Sequence, residues 1–274
     1  MTALAVEARK VSAFMRRDLL VMLSYRTAFV GDLASIAVQA AIFGFVAKLV
    51  DPSHLPTYGG SHASYFEFVM IGVLITTVSG LLLQRVSSAV RQEQMVGTLE
   101  ALLVTPTAPA TVQVGSVAFD LVLVPIRMSI LLLAVTLTFG LHYDGSGVLP
   151  AAALMAAFVP CIWGLGLIAA AAIVTFRRGA GVIGILMGFL GLASGAFFPL
   201  AVLPQWLQRL AEANPVAIVM EGTRDALIGG GDWGAVASDL VILMPLAACA
   251  LFAGLMAFRA ALAREHRNGT LGLY

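Results

Sequence analysis

The sequence predicts an all-α membrane protein with six transmembrane helices. Three observations lead there. The 274 residues are 60% hydrophobic and only 11% charged, where a soluble domain carries roughly 25% charged residues, and the mean hydropathy is +0.95. Several apolar runs reach the length of about 20 residues that a hydrocarbon core of ~30 Å demands of a helix. The alternating segments of ~10 residues that mark a membrane β-barrel are absent.

Residues 7–25 come first. Val11, Phe14, Met15, Leu19 and Met22 recur at steps of three and four, with Arg9, Lys10, Arg16 and Arg17 mostly elsewhere. That is an amphipathic helix suited to the headgroup plane, apolar face down. Glu7, Arg9, Lys10, Arg16, Arg17 and Asp18 interrupt any early apolar run, so no cleaved signal peptide is expected and the N-terminus is retained. The six spans fall at about 28–50, 66–86, 112–140, 149–175, 182–201 and 239–260. Basic residues set the orientation. Arg9, Lys10, Arg16, Arg17 and Arg26 precede span one; Arg85 and Arg91 close span two; Arg177 and Arg178 separate spans four and five; Arg259, Arg264 and Arg267 close span six. The other side has Lys48, Arg209 and Arg224. Both termini are therefore placed in the cytoplasm, with 51–64, 141–147 and 202–238 as outer connections. The whole chain, 1–274, reads as one domain without internal repeats.

Composition excludes several functions. A net charge of +1 offers nothing to a nucleic acid. Cys161 and Cys249 both lie within apolar runs and suggest neither a disulfide nor a metal site. His54, His62, His142 and His266 do not form a metal set. Serine and aspartate are scattered without a G-x-S-x-G turn, so no hydrolytic triad can be argued.

Charges inside spans are costly and are functional candidates. Asp120 and Arg127 share a face of span three, about 10 Å apart along the axis at ~1.5 Å per residue. Two readings stand: an ion-pair network holding helices together, or a site in a substrate path. Asp32, Lys48 and Glu67 lie near span ends and reach the interface. Span five and its approach carry Gly181, Gly184, Gly188, Gly191 and Gly195, a stripe of small residues that lets another helix approach closely.

Between spans two and three lies "EQMVGTLEALLVTP", 93–106, within a cytoplasmic segment spanning 88–105. As a helix it places Glu93, Gly97 and Glu100 on one side, and Val96, Leu99, Leu102 and Leu103 on another. Pro106 disfavours helical geometry at Thr105 and ends the element. It is too short to span a bilayer and suits docking against a protein at the membrane boundary.

"E-Q-x-x-G-T-L-E-x-L-L-x-T-P" resembles the cytoplasmic loop of ABC-2-type transporter permeases, the membrane subunits of ATP-driven exporters, with a form closer to the drug- and lipid-export branch. A second stretch, "SGAFFPLAVLPQWLQRLAEANPVAIVMEGTRDALIGG" at 194–230, is similar to the family's segment after span five. The resemblance implies a coupling helix that docks on the ATPase subunit, carried here by Glu93, Gly97, Thr98, Leu99, Glu100 and Leu103. It also implies short external helices capping the path, with Pro199, Pro204, Trp206, Pro215, Glu221 and Arg224 in the external gate. A solvated turn would use the same residue types as Glu221, Arg224 and Asp225. The chain has no G-x-x-x-x-G-K-[ST] loop to cradle ATP phosphates, and no room for a soluble ATPase domain. The resemblance implies two P-loop ATPase subunits that hold ATP and Mg, a second identical or paralogous permease, and a place in the plasma (inner) membrane among lipid. The rival is a self-sufficient secondary transporter or channel using Asp120 and Arg127, for which inverted repeats would speak; none is visible.

Overall fold

The computed structural model describes residues 3–24, 26–51, 55–96, 143–176, 179–231 and 233–268, with twelve further positions between 115 and 140. Eight α-helices are described: α1 Ala3–Ser24, α2 Arg26–Ala47, α3 Tyr65–Val96, α4 Val148–Phe176, α5 Gly179–Leu192, α6 Gln205–Glu212, α7 Pro215–Ile228 and α8 Trp233–Asn268. Positions such as Gly115, Ala118, Val122, Ile126 and Leu133, within the expected span three, are also helical. A two-stranded hairpin, β1 Thr57–Tyr58 and β2 Ser61–His62, joins α2 to α3.

Among the described residues, three helices are long and apolar enough to cross a membrane: Tyr65–Ser87, Gly145–Phe176 and Trp233–Ala261. They correspond to spans two, four and six. In α2 the apolar stretch Ala37–Ala47 is shorter. Span five needs a correction. The expected helix over 182–201 stops at Leu192, and its 14 residues cover ~21 Å at 1.5 Å each, short of the ~30 Å core. The chain turns at once: Gly195 has φ +72°, a left-handed conformation that glycine adopts without penalty. Ser194 Oγ donates to the Gly191 carbonyl at 2.7 Å. Span six also starts earlier than expected, so 233–238 belong to α8 and not to the outer connection.

Lipid is as apolar as leucine, so helices in a membrane associate by close packing and polar contacts, and the hydrophobic effect adds little. The α4–α8 pair, the most extensive helix contact among the described residues, shows how. A Cβ at Gly164 would strike the Ala250 backbone, and one at Gly254 would strike Gly164. Around this crossing, Ile71, Val78 and Leu83 of α3, Leu154 and Phe158 of α4, Val219 and Met220 of α7 and Leu243 of α8 form the central core. At the N-terminal end, the Phe14 ring of α1 fills the space beside Gly115, where a Cβ would sit 2.6 Å from it, and Arg17 lies 5.0 Å over the same ring.

Candidate functional site

The connections expected on the outer side converge on α7. Its start combines two local signals. Asn214 is the N-cap, its Oδ1 accepting from Val216 N at 3.0 Å, and Pro215 occupies the first helical position, where its missing N–H costs nothing. The other end of the same amide donates to the Leu190 and Ala193 carbonyls, both at 2.9 Å. One buried side chain thus starts α7 and closes α5.

The start of α3 is fixed by a reciprocal capping box. Ser64 N donates to Glu67 Oε2 at 2.9 Å and Glu67 N to Ser64 Oγ at 3.2 Å. Just before it, Gly59 and Gly60, at φ +57° and +80°, turn the hairpin, the positive-φ pair that tight hairpins favour. The register pairs Tyr58 with Ser61 and leaves Tyr58 buried against α3 and Ile228. Gly59 rests on the Gly229 carbonyl, too close for a Cβ. On the other flank, Asp144 N donates to Leu227 O at 2.9 Å, while Asp144 Oδ1 accepts from Ser146 N and Oγ. Those two bonds hold the Asp144 carboxyl below its ordinary pKa.

Arg224 lies at the centre of these segments. It is 1% exposed. Nε and Nη2 donate to Phe68 O at 3.2 and 3.0 Å, and Nη2 also reaches Gly195 O at 3.0 Å and Ala196 O at 3.2 Å. Nη1 donates to Glu221 Oε2 at 3.1 Å. The guanidinium carbon sits 3.5 Å from the centre of the Phe68 ring, a stacked cation–π geometry. Glycine at position 72 lets the 196 turn approach, since a Cβ there would land on the Ala196 carbonyl. Glu221 is 44% exposed at its side chain, and its Oε1 accepts from the Tyr58 hydroxyl at 3.0 Å. Burial, and then the Glu221 charge, push the Tyr58 hydroxyl well above its ordinary pKa, against a smaller opposing pull from Arg224. It is held as a neutral donor. Asp225 and Asp239 add two carboxylates near Glu221. Two buried hydroxyls, Tyr143 Oη and Thr223 Oγ1, have no hydrogen-bond partner among the described residues.

This cap is built on a recognisable chain. Residues 9–228, well over half of it, match the family model of the ABC-2 type transporter. The chain belongs to the ABC-2 type transporter family. It is also similar to the linearmycin resistance permease protein LnrN of Bacillus subtilis (strain 168), 25% identical over 202 residues, which are 73% of this chain and 49% of that protein. The chain thus spans about half the length of that curated relative. ABC-2 permeases are the membrane components of ABC transporters and are not themselves the ATPase.

The remaining candidates in this ABC-2 permease fall as follows. Gly97, Thr98, Leu99, Glu100 and Leu103 lie outside the described residues, as do Asp120 and Arg127; Glu93 belongs to the last turn of α3. Pro199 and Pro204 precede a 3-10 turn, Leu200–Val202, and α6. Trp206 on α6 is exposed. Glu221 and Arg224 are brought together, and the alternative of a solvated turn is corrected for Arg224, which is sealed inside the bundle. Among the described residues, Gly184, Gly188 and Gly191 meet no other group within 4 Å of a Cβ position. Gly195 leaves their stripe altogether, because it is the turn after α5. Sequence reasoning missed Tyr58, Phe68, Gly72 and Asn214. For Tyr58 the Gly-Gly turn signal was present, and for Asn214 the Asn-Pro pair.

Proposed function

We propose that this permease is the membrane-spanning subunit of an exporter that moves a hydrophobic or amphiphilic substrate, such as a lipid, drug or glycoconjugate, out of the cytoplasm. Family membership over residues 9–228 carries this reading, and the resistance function in the relative's name supports a small-molecule cargo. Two separate P-loop ATPase subunits bind ATP and Mg. Their closure acts on Glu93, Gly97, Thr98, Leu99, Glu100 and Leu103 at the cytoplasmic end of α3. A second permease, identical or paralogous, completes the path in the plasma membrane, and both termini face the cytoplasm. Gly184, Gly188 and Gly191, open in the single chain, suit close approach of a neighbouring subunit. The segment from Pro199 through Pro204, Trp206 and Pro215 to Glu221 and Arg224 is the external gate. ATP drives the cycle by favouring one of two arrangements through differential contacts.

The test is transport of linearmycin and of a fluorescent phospholipid into inverted proteoliposomes containing the permease and its co-purifying ATPase. Uptake should require hydrolysable ATP. Transport by the permease alone under an ion gradient would instead establish a secondary transporter.

A further inference from the structure

We propose that Tyr58, Glu221 and Arg224 form a latch that pins the β1–β2 hairpin over the outer end of the bundle, and that Glu221 is its switching member. This rests on the exporter reading and adds the moving part of its outer gate. The three residues are not held equally. Arg224 is fully buried, stacked on Phe68 and bonded to carbonyls from α3 and from the turn after α5. Withdrawing it would strip those buried carbonyls of their donors, so it stays with the bundle. Glu221 is half exposed, and water can take over both of its bonds. Its carboxylate bridges the hairpin's Tyr58 hydroxyl and the fixed guanidinium, so release of one carboxylate frees the strap from its anchor.

What the hairpin covers is apolar. Leu55 and Tyr58 pack with Ala63, Phe68, Val69 and Val73, and this cluster borders the Arg224 node. Lifting the strap therefore bares an apolar surface at the outer end, facing a departing amphiphile. The Gly59–Gly229 contact is backbone against backbone. It places the hairpin but makes no side-chain lock, which leaves the Tyr58–Glu221 bond as the charge-assisted fastening among the described residues.

The test uses the full permease with its ATPase partner in nanodiscs, with Cys161→Ala, Cys249→Ala and Leu55→Cys. The rate of modification at position 55 by a charged methanethiosulfonate reports lifting of the strap. Tyr58→Phe and Glu221→Gln should each raise that rate about tenfold, equivalent to ~1.4 kcal/mol. Thr57→Val, on the exposed side of the same strand, should leave it unchanged. Trapping the ATP-bound state should raise the unlatched rate in the parent and add little in Tyr58→Phe. Equal rates for parent, Tyr58→Phe and Glu221→Gln would overturn the latch. So would a parent rate indifferent to nucleotide in a complex that transports. A parent complex without ATP-dependent transport defeats the exporter reading instead, and the latch then stands or falls on the Tyr58→Phe comparison.

Discussion

Replacing Arg224 with methionine keeps an unbranched stem, shorter than arginine's by the guanidinium end, and removes all five of its hydrogen bonds. Phe68 O retains its place within α3, but the Gly195 and Ala196 carbonyls lose their donor in a buried turn. Each orphaned buried acceptor costs about 1–3 kcal/mol. Loss of the stacked cation over Phe68 adds about 2 kcal/mol, offset in part by a sulfur–ring contact of about 0.3–1.5 kcal/mol. Glu221 is 44% exposed, so its lost ion pair is screened and adds at most about 1 kcal/mol. The overlapping losses should total about 3–5 kcal/mol, the usual cost of breaking a buried charged pair. That is a large part of a typical stability of about 5–15 kcal/mol. Arg224→Lys keeps the charge but offers three donors without the planar fork, and should fall between parent and Arg224→Met. Denaturant unfolding in mild detergent, followed by circular dichroism and size exclusion, measures this. An Arg224→Met protein within about 1 kcal/mol of the parent, below the cost of even one orphaned carbonyl, would refute the reasoning. So would Glu221→Gln costing as much as Arg224→Met, because the energy would then sit in the ion pair and not in the carbonyls.

Gly164→Leu should prevent folding by driving α4 off α8, whereas Gly188→Leu, with open space at its Cβ, should fold normally and show a defect only in subunit assembly; equal instability of the two monomers would contradict the packing. Single cysteines at Thr57 and Arg267, in a background without Cys161 and Cys249, should be labelled in intact cells by an impermeant thiol reagent at position 57 alone; the reverse pattern would invert the topology. The raised Tyr58 pKa favours the protonated, folded form, so its contribution is fully present below the ordinary phenol value of about 10 and is lost as pH rises through the folded value. The tyrosinate absorbance difference between parent and Tyr58→Phe should therefore emerge only above the pH at which exposed tyrosines ionise; a Tyr58 that ionises with them would show that it is not buried.

Long uninterrupted apolar runs were readable in the sequence. Span four, expected at 149–175, is α4 at Val148–Phe176, and the amphipathic segment expected at 7–25 is α1 at Ala3–Ser24. Span five failed because apolarity continues through "GLASGAFFPLAVL" after the helix has stopped. Its end is set by the left-handed Gly195 and by Asn214, which reaches Leu190 from 24 residues away. No local window contains that contact. Arg224 illustrates the same limit. Its residue type suggests solvent, yet its acceptors come from 156, 29 and 28 residues away, and only their convergence makes a buried guanidinium tolerable. Glycine spacing did not point to the close backbone crossing within the chain. Among the described residues that crossing uses Gly164 and Gly254, which share no repeat, while a Cβ at Gly184, Gly188 or Gly191 of α5 meets nothing within 4 Å.

Glu100→Arg tests how the two ends of the molecule communicate. The α3 helix runs from the Ser64–Glu67 capping box to Val96, one residue before the first of the coupling candidates at 97–103. Phe68, whose carbonyl accepts from Arg224, lies 28 residues from Val96, about 42 Å along a helix at 1.5 Å per residue. Hydroxyls in between do not interrupt it: Thr76, Thr77 and Ser79 each donate to a carbonyl three or four residues back. A tilt imposed at the end of α3 proposed to face the cytoplasm therefore reaches the Arg224 node through one covalent, hydrogen-bonded rod. Arginine at position 100 reverses the charge of the proposed docking face and changes no residue of that rod. Truncating a buried interfacial charge pair costs about 2–5 kcal/mol, so ATPase co-purification should weaken by at least tenfold, or ATP turnover should separate from export. The permease itself should unfold as the parent does, and the position-55 labelling rate should become insensitive to nucleotide while still rising in Tyr58→Phe. Parent-like assembly and nucleotide-dependent labelling in Glu100→Arg would place the coupling contact elsewhere on the chain.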